Sequence, residues 1–319
     1  MLITRRQAAR IALAAPAAAG GTQAKPNSNF GGVQIGVITY SFRALPSGAE
    51  DVLRYCVDCG VSAIELMSNV AESYAGAPAQ PPRRPGQGRP QPSPEQQVAQ
   101  RKAAEELKQW RLSAPMAKYK AFRKMYEDAG VRIFAFKLPP TMAMSDPEYD
   151  YIWNVAETLG ADHVTMELPT DDRLLARVAA YSAKRKLRIA FHTHGQGGAS
   201  GFEKALGASN YTALNFDVGH YYGVTGESPV PVIEKYHSRI ASLHLKDRKS
   251  PASAGGPRGG GANVPWGQGG TPLKEILQLM KARRYRFPAA IEYEYQTPEG
   301  SGVLAEIKKC VAFCREALA

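Results

Sequence analysis

The sequence predicts an α/β protein of a single domain, a closed (β/α)8 TIM barrel, on three observations. Eight short apolar, β-prone runs alternate with helix-sized stretches, the order that a parallel barrel requires. Four of those runs stop on an acid or an imidazole: His163–Glu167 (H-V-T-M-E), Ala213–Asp217 (A-L-N-F-D), Ile240–His244 (I-A-S-L-H) and Ala289–Glu292 (A-A-I-E). In a barrel such a run is buried, and its last inward side chain faces the mouth. Finally, 319 residues with 44% hydrophobic and 22% charged content supply one core of barrel size. An open doubly wound sheet is the competing arrangement. No glycine-rich phosphate turn follows the first strand, which argues against it.

The elements follow in order. Val33–Tyr40 reads as the first strand, with a helix from about Gly48 to Cys59. Ser62–Leu66 is the second strand, and a helix covers much of Glu95–Ala129. Arg132–Lys137 is the third; its helix starts after Ser145-Asp146-Pro147, an N-terminal signal. His163–Glu167 precedes a helix over Asp171–Lys186, and Leu187–His194 a short one near Phe202–Leu206. Ala213–Asp217 leads to a helix around Val230–His237, and Ile240–His244 to one over Pro272–Arg283. Pro288–Glu294 is the last strand and Val303–Leu318 the closing helix.

Two segments interrupt this rhythm within the barrel region 30–319. Residues 75–95, after strand two, are rich in Pro, Gly, Gln and Arg, a composition that cannot bury a core. Residues 250–270, after strand seven, are rich in Gly, Ser and Ala. Both emerge on the mouth side, either as a mobile rim or docking surface for a second copy or partner subunit, or as tolerated surface insertions.

Residues 1–24 read as a targeting signal. Thr4-Arg5-Arg6, a modest apolar stretch Ile11–Ala19 and the small-residue end Thr22-Gln23-Ala24 are the pattern of twin-arginine export to the periplasm. That route carries folded proteins, so a metal can be loaded beforehand. No apolar stretch has the length of a membrane span. The net charge of +11 forms no basic stripe with interleaved aromatics, so no nucleic-acid partner is expected.

Four cysteines sit on the first and last helices: Cys56 and Cys59, Cys310 and Cys314. Those helices are neighbours in a closed barrel. A seam disulfide is one reading, and buried thiols on apolar faces the other.

Side-chain parity tests which groups share the lumen. An inward phase for Glu167, Asp217, His244 and Glu292 brings His163, Thr165, Ala213, Asn215, Ile240, Ser242, Ala290 and Glu294 inward and sends Met166, Phe216, Leu243 and Ile291 toward the helices. Three buried carboxylates are costly unless a cation balances them. Three oxygens and an imidazole suit Mn2+ best, with Co2+, Mg2+ or Zn2+ also compatible.

The motifs Gly60-Val-Ser-Ala-Ile-Glu65-Leu, Phe191-His-Thr-His194-Gly, Asp217-Val-Gly-His220, His244-Leu-Lys-Asp247 and Ile291-Glu292 resemble the xylose isomerase-like superfamily of sugar isomerases and epimerases, which includes ketose 3-epimerases and inosose dehydratases. The resemblance implies that Glu167, Asp217, His244 and Glu292 bind one divalent metal ion, and that Glu167 and Glu292 carry protons on opposite faces of the substrate. A proton leaves the carbon beside a carbonyl, and an enediolate held by the metal forms. Returning the proton gives an epimer or an aldose–ketose pair, whereas expelling a β-substituent makes the protein a lyase or dehydratase on 3-keto-glycosides. A non-catalytic carbohydrate-binding barrel is a third reading. The partner in each case is a small-molecule sugar or glycoside. His192, His194, His220, Lys137, Lys246, Arg248 and Glu65 are candidates to hold it, and Trp266 to stack on a sugar ring.

Overall fold

Eight parallel strands close on themselves: β1 (Val33–Ile38), β2 (Ala63–Met67), β3 (Arg132–Lys137), β4 (His163–Glu167), β5 (Arg188–His192), β6 (Thr212–Asp217), β7 (Ile240–Leu245) and β8 (Ala289–Ile291). This computed structural model describes residues 25–80, 93–194, 198–253 and 260–319, with backbone only at 198–200. Residues 1–24, expected as an export signal, and most of the proline-rich insertion therefore lie outside the described residues. Each strand pairs with its successor, and β8 pairs with both β7 and β1 to complete the ring. A two-residue strand, Asn29–Phe30, folds back antiparallel on the start of β1.

The helices are α1 (Ala49–Cys59), α2 (Ser68–Ala75), α3 (Pro94–Leu112), α4 (Met116–Asp128), α5 (Asp146–Leu159), α6 (Asp172–Arg185), α7 (Gly198–Gly207), α8 (Val218–Thr225), α9 (Val230–Tyr236), α10 (Leu273–Arg283) and α11 (Val303–Ala317). Local chemistry sets several ends. Ser145 and Glu148 form a capping box at the start of α5, and Gly160 stops that helix in the left-handed conformation. The single helix expected over Glu95–Ala129 is two, because Pro115 cannot continue the hydrogen-bond ladder. The last turn of α3 is pinned by Arg111, which bonds both oxygens of buried Glu72 on α2 at 2.7 and 3.0 Å.

The main apolar core lies between strands and helices and contains the outward residues Met166, Phe216, Leu243 and Ile291. Ile240 joins this outer core rather than the lumen. The β6–β7 register runs Leu214↔Ile240 and then Asn215↔Ser242, so Ala241 is an extra residue that reverses the phase at the start of β7. Cys56, Cys59, Cys310 and Cys314 are four separate buried thiols in the packing of α1 and α11, so the seam carries no disulfide.

Candidate active site

The lumen is built in layers. Phe134 packs with Ala63, Ala135 and Ala290, and Ala190, Ala213 and Ala241 form a second small cluster. Above the apolar layer lies a polar one of Glu65, His163, Thr165, Asn215 and Ser242, all without solvent exposure. Thr165 Oγ1 donates to Glu65 Oε1 at 2.8 Å, and Asn215 Nδ2 donates to Glu65 Oε2 at 3.0 Å and to Ser242 Oγ at 2.7 Å. His163 Nε2 lies 3.1 Å from Ser242 Oγ. Burial pushes the His163 imidazole down to about 3, so it is neutral.

This layer orients the one above. His192 Nδ1 donates to Asn215 Oδ1 at 2.8 Å, which leaves Nε2 free to face the cluster. His244 Nε2 donates to Glu65 Oε2 at 2.7 Å, which leaves Nδ1 directed at Glu292 Oε2, also 2.7 Å away. A ring nitrogen held by a carboxylate or amide fixes which nitrogen can bind a metal. Donor atoms of His192, Asp217, His244 and Glu292 all lie within 4.8 Å of one another, and those of His192, His194 and His220 form a second such group.

Asp217 has two roles. Its Oδ1 accepts from the backbone N–H of His220 at 2.7 Å and caps α8, while Oδ2 points into the cluster, 3.0 Å from Lys246 Nζ but without a hydrogen bond of regular geometry. The α8 helix follows β6 without a loop. Its Val-Gly-His-Tyr-Tyr-Gly sequence is poor in helix formers, and only the Asp cap signals it. Gly219 is needed there, because a Cβ would collide with Lys246 Cγ and the Lys246 carbonyl oxygen.

Charge is concentrated around this group. Burial pushes the Asp217 carboxyl up to about 6. Burial alone would lower His244, but Glu65 and Glu292 outweigh it and hold the imidazole up at about 10. Burial would raise Glu292, yet Lys246 and His244 hold it well below the usual carboxylate range. Burial keeps His192 and His220 neutral, Lys137 adding to the effect at His192 and Lys246 at His220. Two imidazoles (His192, His244) and two carboxylates (Asp217, Glu292) form a mixed nitrogen–oxygen donor set that fits a divalent transition metal.

Several expected residues lie elsewhere. Glu167, expected as a ligand, stands outside the four-residue group, and His192 takes that place. The two are register partners on β4 and β5, but Glu167 Oε1 accepts from Lys137 at 3.1 Å and Oε2 lies 2.6 Å from His194 Nδ1. Glu65, expected to hold substrate, lies beneath the site as a support. Lys246 is 2% exposed and enclosed by Asp217, Glu292 and Glu294. Arg248 is fully buried, donating to the Gly261 carbonyl at 2.8 Å and standing with Nη1 3.0 Å from His220 Nδ1. Trp266 packs edge-on against Phe313 of α11, in the outer layer, with ring centres 5.6 Å apart. The described part of the glycine-rich loop is ordered by Asp247, whose oxygens accept from the backbone of Gly267, Gly269 and Thr271.

Comparison with known proteins matches this architecture. An inosose dehydratase of Clostridium botulinum (strain Eklund 17B / Type B) is 28% identical over 135 residues, 38% of this chain and 45% of that protein. The match thus spans less than half of the curated relative. Among solved structures, the probable 3-DHS dehydratase AsbF of Bacillus anthracis superimposes with a TM-score of 0.59 at 14% identity, covering 88% of this chain and 98% of that one. L-ribulose 3-epimerase gives 0.56 at 13% identity over 90% and 94%. The 3-keto-D-glucoside 4-epimerase of E. coli gives 0.56 at 10% identity over 89% and 99%, and at such identities the likeness is one of fold. The family model described as xylose isomerase-like TIM barrel matches residues 53–315, and the chain belongs to that family.

Proposed function

We propose that the chain is a metal-dependent sugar isomerase or epimerase that removes a proton beside a carbonyl. The observation that carries this reading is the convergence of His192, Asp217, His244 and Glu292 at the mouth ends of four parallel strands. These four would hold the ion, Mn2+ in our assignment, with Co2+, Mg2+ and Zn2+ compatible. When bound, a divalent ion polarises a sugar carbonyl and acidifies the neighbouring C–H.

The chain's own residues handle the proton. Glu167 is the acid open to a substrate, with its side chain 45% exposed against 7% for Glu292 and none for Asp217. Burial would raise Glu167, but His194 and Lys137 outweigh it and keep the carboxylate ionised, ready to accept a proton. Glu292 is the second acid. A proton taken by one and returned through the other gives an epimer, and its return to the adjacent carbon gives the aldose–ketose pair. Lys137 and Lys246 are engaged with carboxylates, which favours a neutral sugar or glycoside over a phosphorylated one.

The dehydratase reading, on 3-keto-glycosides, uses the same proton removal followed by expulsion of a β-substituent. The match to inosose dehydratases supports it. Incubating the Mn2+-loaded protein in D2O with ketoses, 3-keto-glycosides and their phosphorylated counterparts tests both. Deuterium beside the carbonyl of a neutral sugar is expected, and product analysis separates isomer from eliminated fragment. Exchange lost in Glu167→Gln and Glu292→Gln with the fold intact supports the roles given. No exchange with any sugar leaves the binding-barrel reading in its place. Export to the periplasm is part of the proposal, and mass spectrometry of the exported protein's N-terminus checks it.

A further inference from the structure

The carboxylate cage already holds a cation. Lys246 Nζ lies 2.8 Å from Glu292 Oε2, 2.7 Å from Glu294 Oε2, 3.0 Å from Asp217 Oδ2 and 2.9 Å from His220 Nε2. The ammonium has three N–H donors for these four neighbours, and its contacts of hydrogen-bond geometry run to Glu294 Oε2 and His220 Nε2. Asp217 Oδ2 is the one left without a hydrogen bond. His220 is contested too. Arg248 Nη1 stands 3.0 Å from its Nδ1 while Lys246 stands at Nε2, and a neutral imidazole accepts at one nitrogen only. Lysine is thus an imperfect occupant of a cage that an ion with more coordination positions fills better.

We propose that Lys246 is a resident counter-cation that shares Asp217 and Glu292 with the divalent ion and sets the protein's metal affinity. The ammonium balances these acids in the metal-free protein and holds the barrel mouth together. It yields Asp217 and Glu292 to the ion and keeps Glu294 and His220. Displacing it opposes metal binding, so the affinity is lower than the ligands alone would give. This inference rests on the reading of the cage as a cation site and is independent of the reaction catalysed.

The test is Mn2+ titration of the wild type, Lys246→Met and Lys246→Gln by calorimetry and chelator competition, with melting curves in EDTA and in saturating Mn2+. Gln keeps hydrogen-bond donors in the cage and guards against misfolding. Both variants are expected to bind Mn2+ at least about tenfold more tightly, because a positive charge within contact distance of two ligands is gone. Their metal-dependent gain in melting temperature is expected to exceed that of the wild type. A Met variant recovered only with Mn2+ present supports the proposal as well. Equal or weaker binding by both variants overturns it and assigns Lys246 to orienting the ligands. A wild type that binds neither Mn2+, Co2+, Mg2+ nor Zn2+ removes the cation site itself, and the proposed function with it.

Discussion

Replacing Glu65 by Gln removes the support beneath the site. Three donors converge on its two buried oxygens: His244 Nε2 at 2.7 Å, Thr165 Oγ1 at 2.8 Å and Asn215 Nδ2 at 3.0 Å. A glutamine offers one oxygen and one amide, so at least one donor meets a donor. An unpaired buried donor costs about 1–3 kcal/mol, and a lost charged hydrogen bond a similar amount. The sum, about 2–6 kcal/mol, brackets the roughly 3–5 kcal/mol for breaking a buried ion pair by removing one partner. Proton linkage leads to the same range. Burial would raise Glu65, but His244 outweighs it and holds the carboxyl at about 2 against an ordinary 4.5. At about 1.4 kcal/mol per unit, that is roughly 3.5 kcal/mol. The sign is that of a depressed acid: the stability is present above pH 4.5 and lost as pH falls toward 2. In a chain of this size the change lowers the melting temperature by roughly 3–9 °C. Calorimetric melts at pH 7 in EDTA measure it, and Mn2+ titration reads the orientation of His244, with affinity expected to fall about 10–100-fold. A Glu65→Gln protein that melts within about 2 °C of the wild type and binds Mn2+ equally well would refute the claim that this network positions His244.

Three further outcomes are expected. Gly219→Ala forces α8 away from Lys246 and should cost about 1–3 kcal/mol in urea denaturation while weakening Mn2+ binding, and an unchanged midpoint would contradict the close approach. Burial holds His163 at about 3 against an ordinary 6.5, so the unfolded chain binds a proton that the folded one refuses; stability is present above pH 6.5 and falls as pH drops toward 3, by about 1.4 kcal/mol per unit for this residue. Denaturation at pH 7 and pH 5 should show a smaller loss in His163→Asn, and an identical loss in both proteins argues against a buried neutral imidazole. Burial pushes the thiols of Cys59 and Cys310 up to about 12, so the native protein should resist iodoacetamide at mildly alkaline pH, and all four cysteines should label in denaturant without reductant; fewer than four labels would reveal a disulfide.

Local order was the legible part of this chain. Strand periodicity of two and the alternation with helices determined the barrel, its element order and the inward phase of Thr165, Asn215, Asp217, His244 and Glu292, because each depends only on near neighbours along the chain. The phase failed at Ile240, where a one-residue shift in pairing cannot be read from either strand alone. Partnership across the lumen was decided by closure. Glu167 and His192 are register neighbours on adjacent strands, yet only His192 joins Asp217, His244 and Glu292, because Lys137 and His194 hold the Glu167 carboxylate. Lys246 reads in sequence as a candidate to hold the substrate but is buried among three acids that arrive from β6 and from the chain at the end of β8. Pattern along a strand says which way a side chain points; which charge it meets depends on barrel closure and strand register, and those are properties of the whole ring.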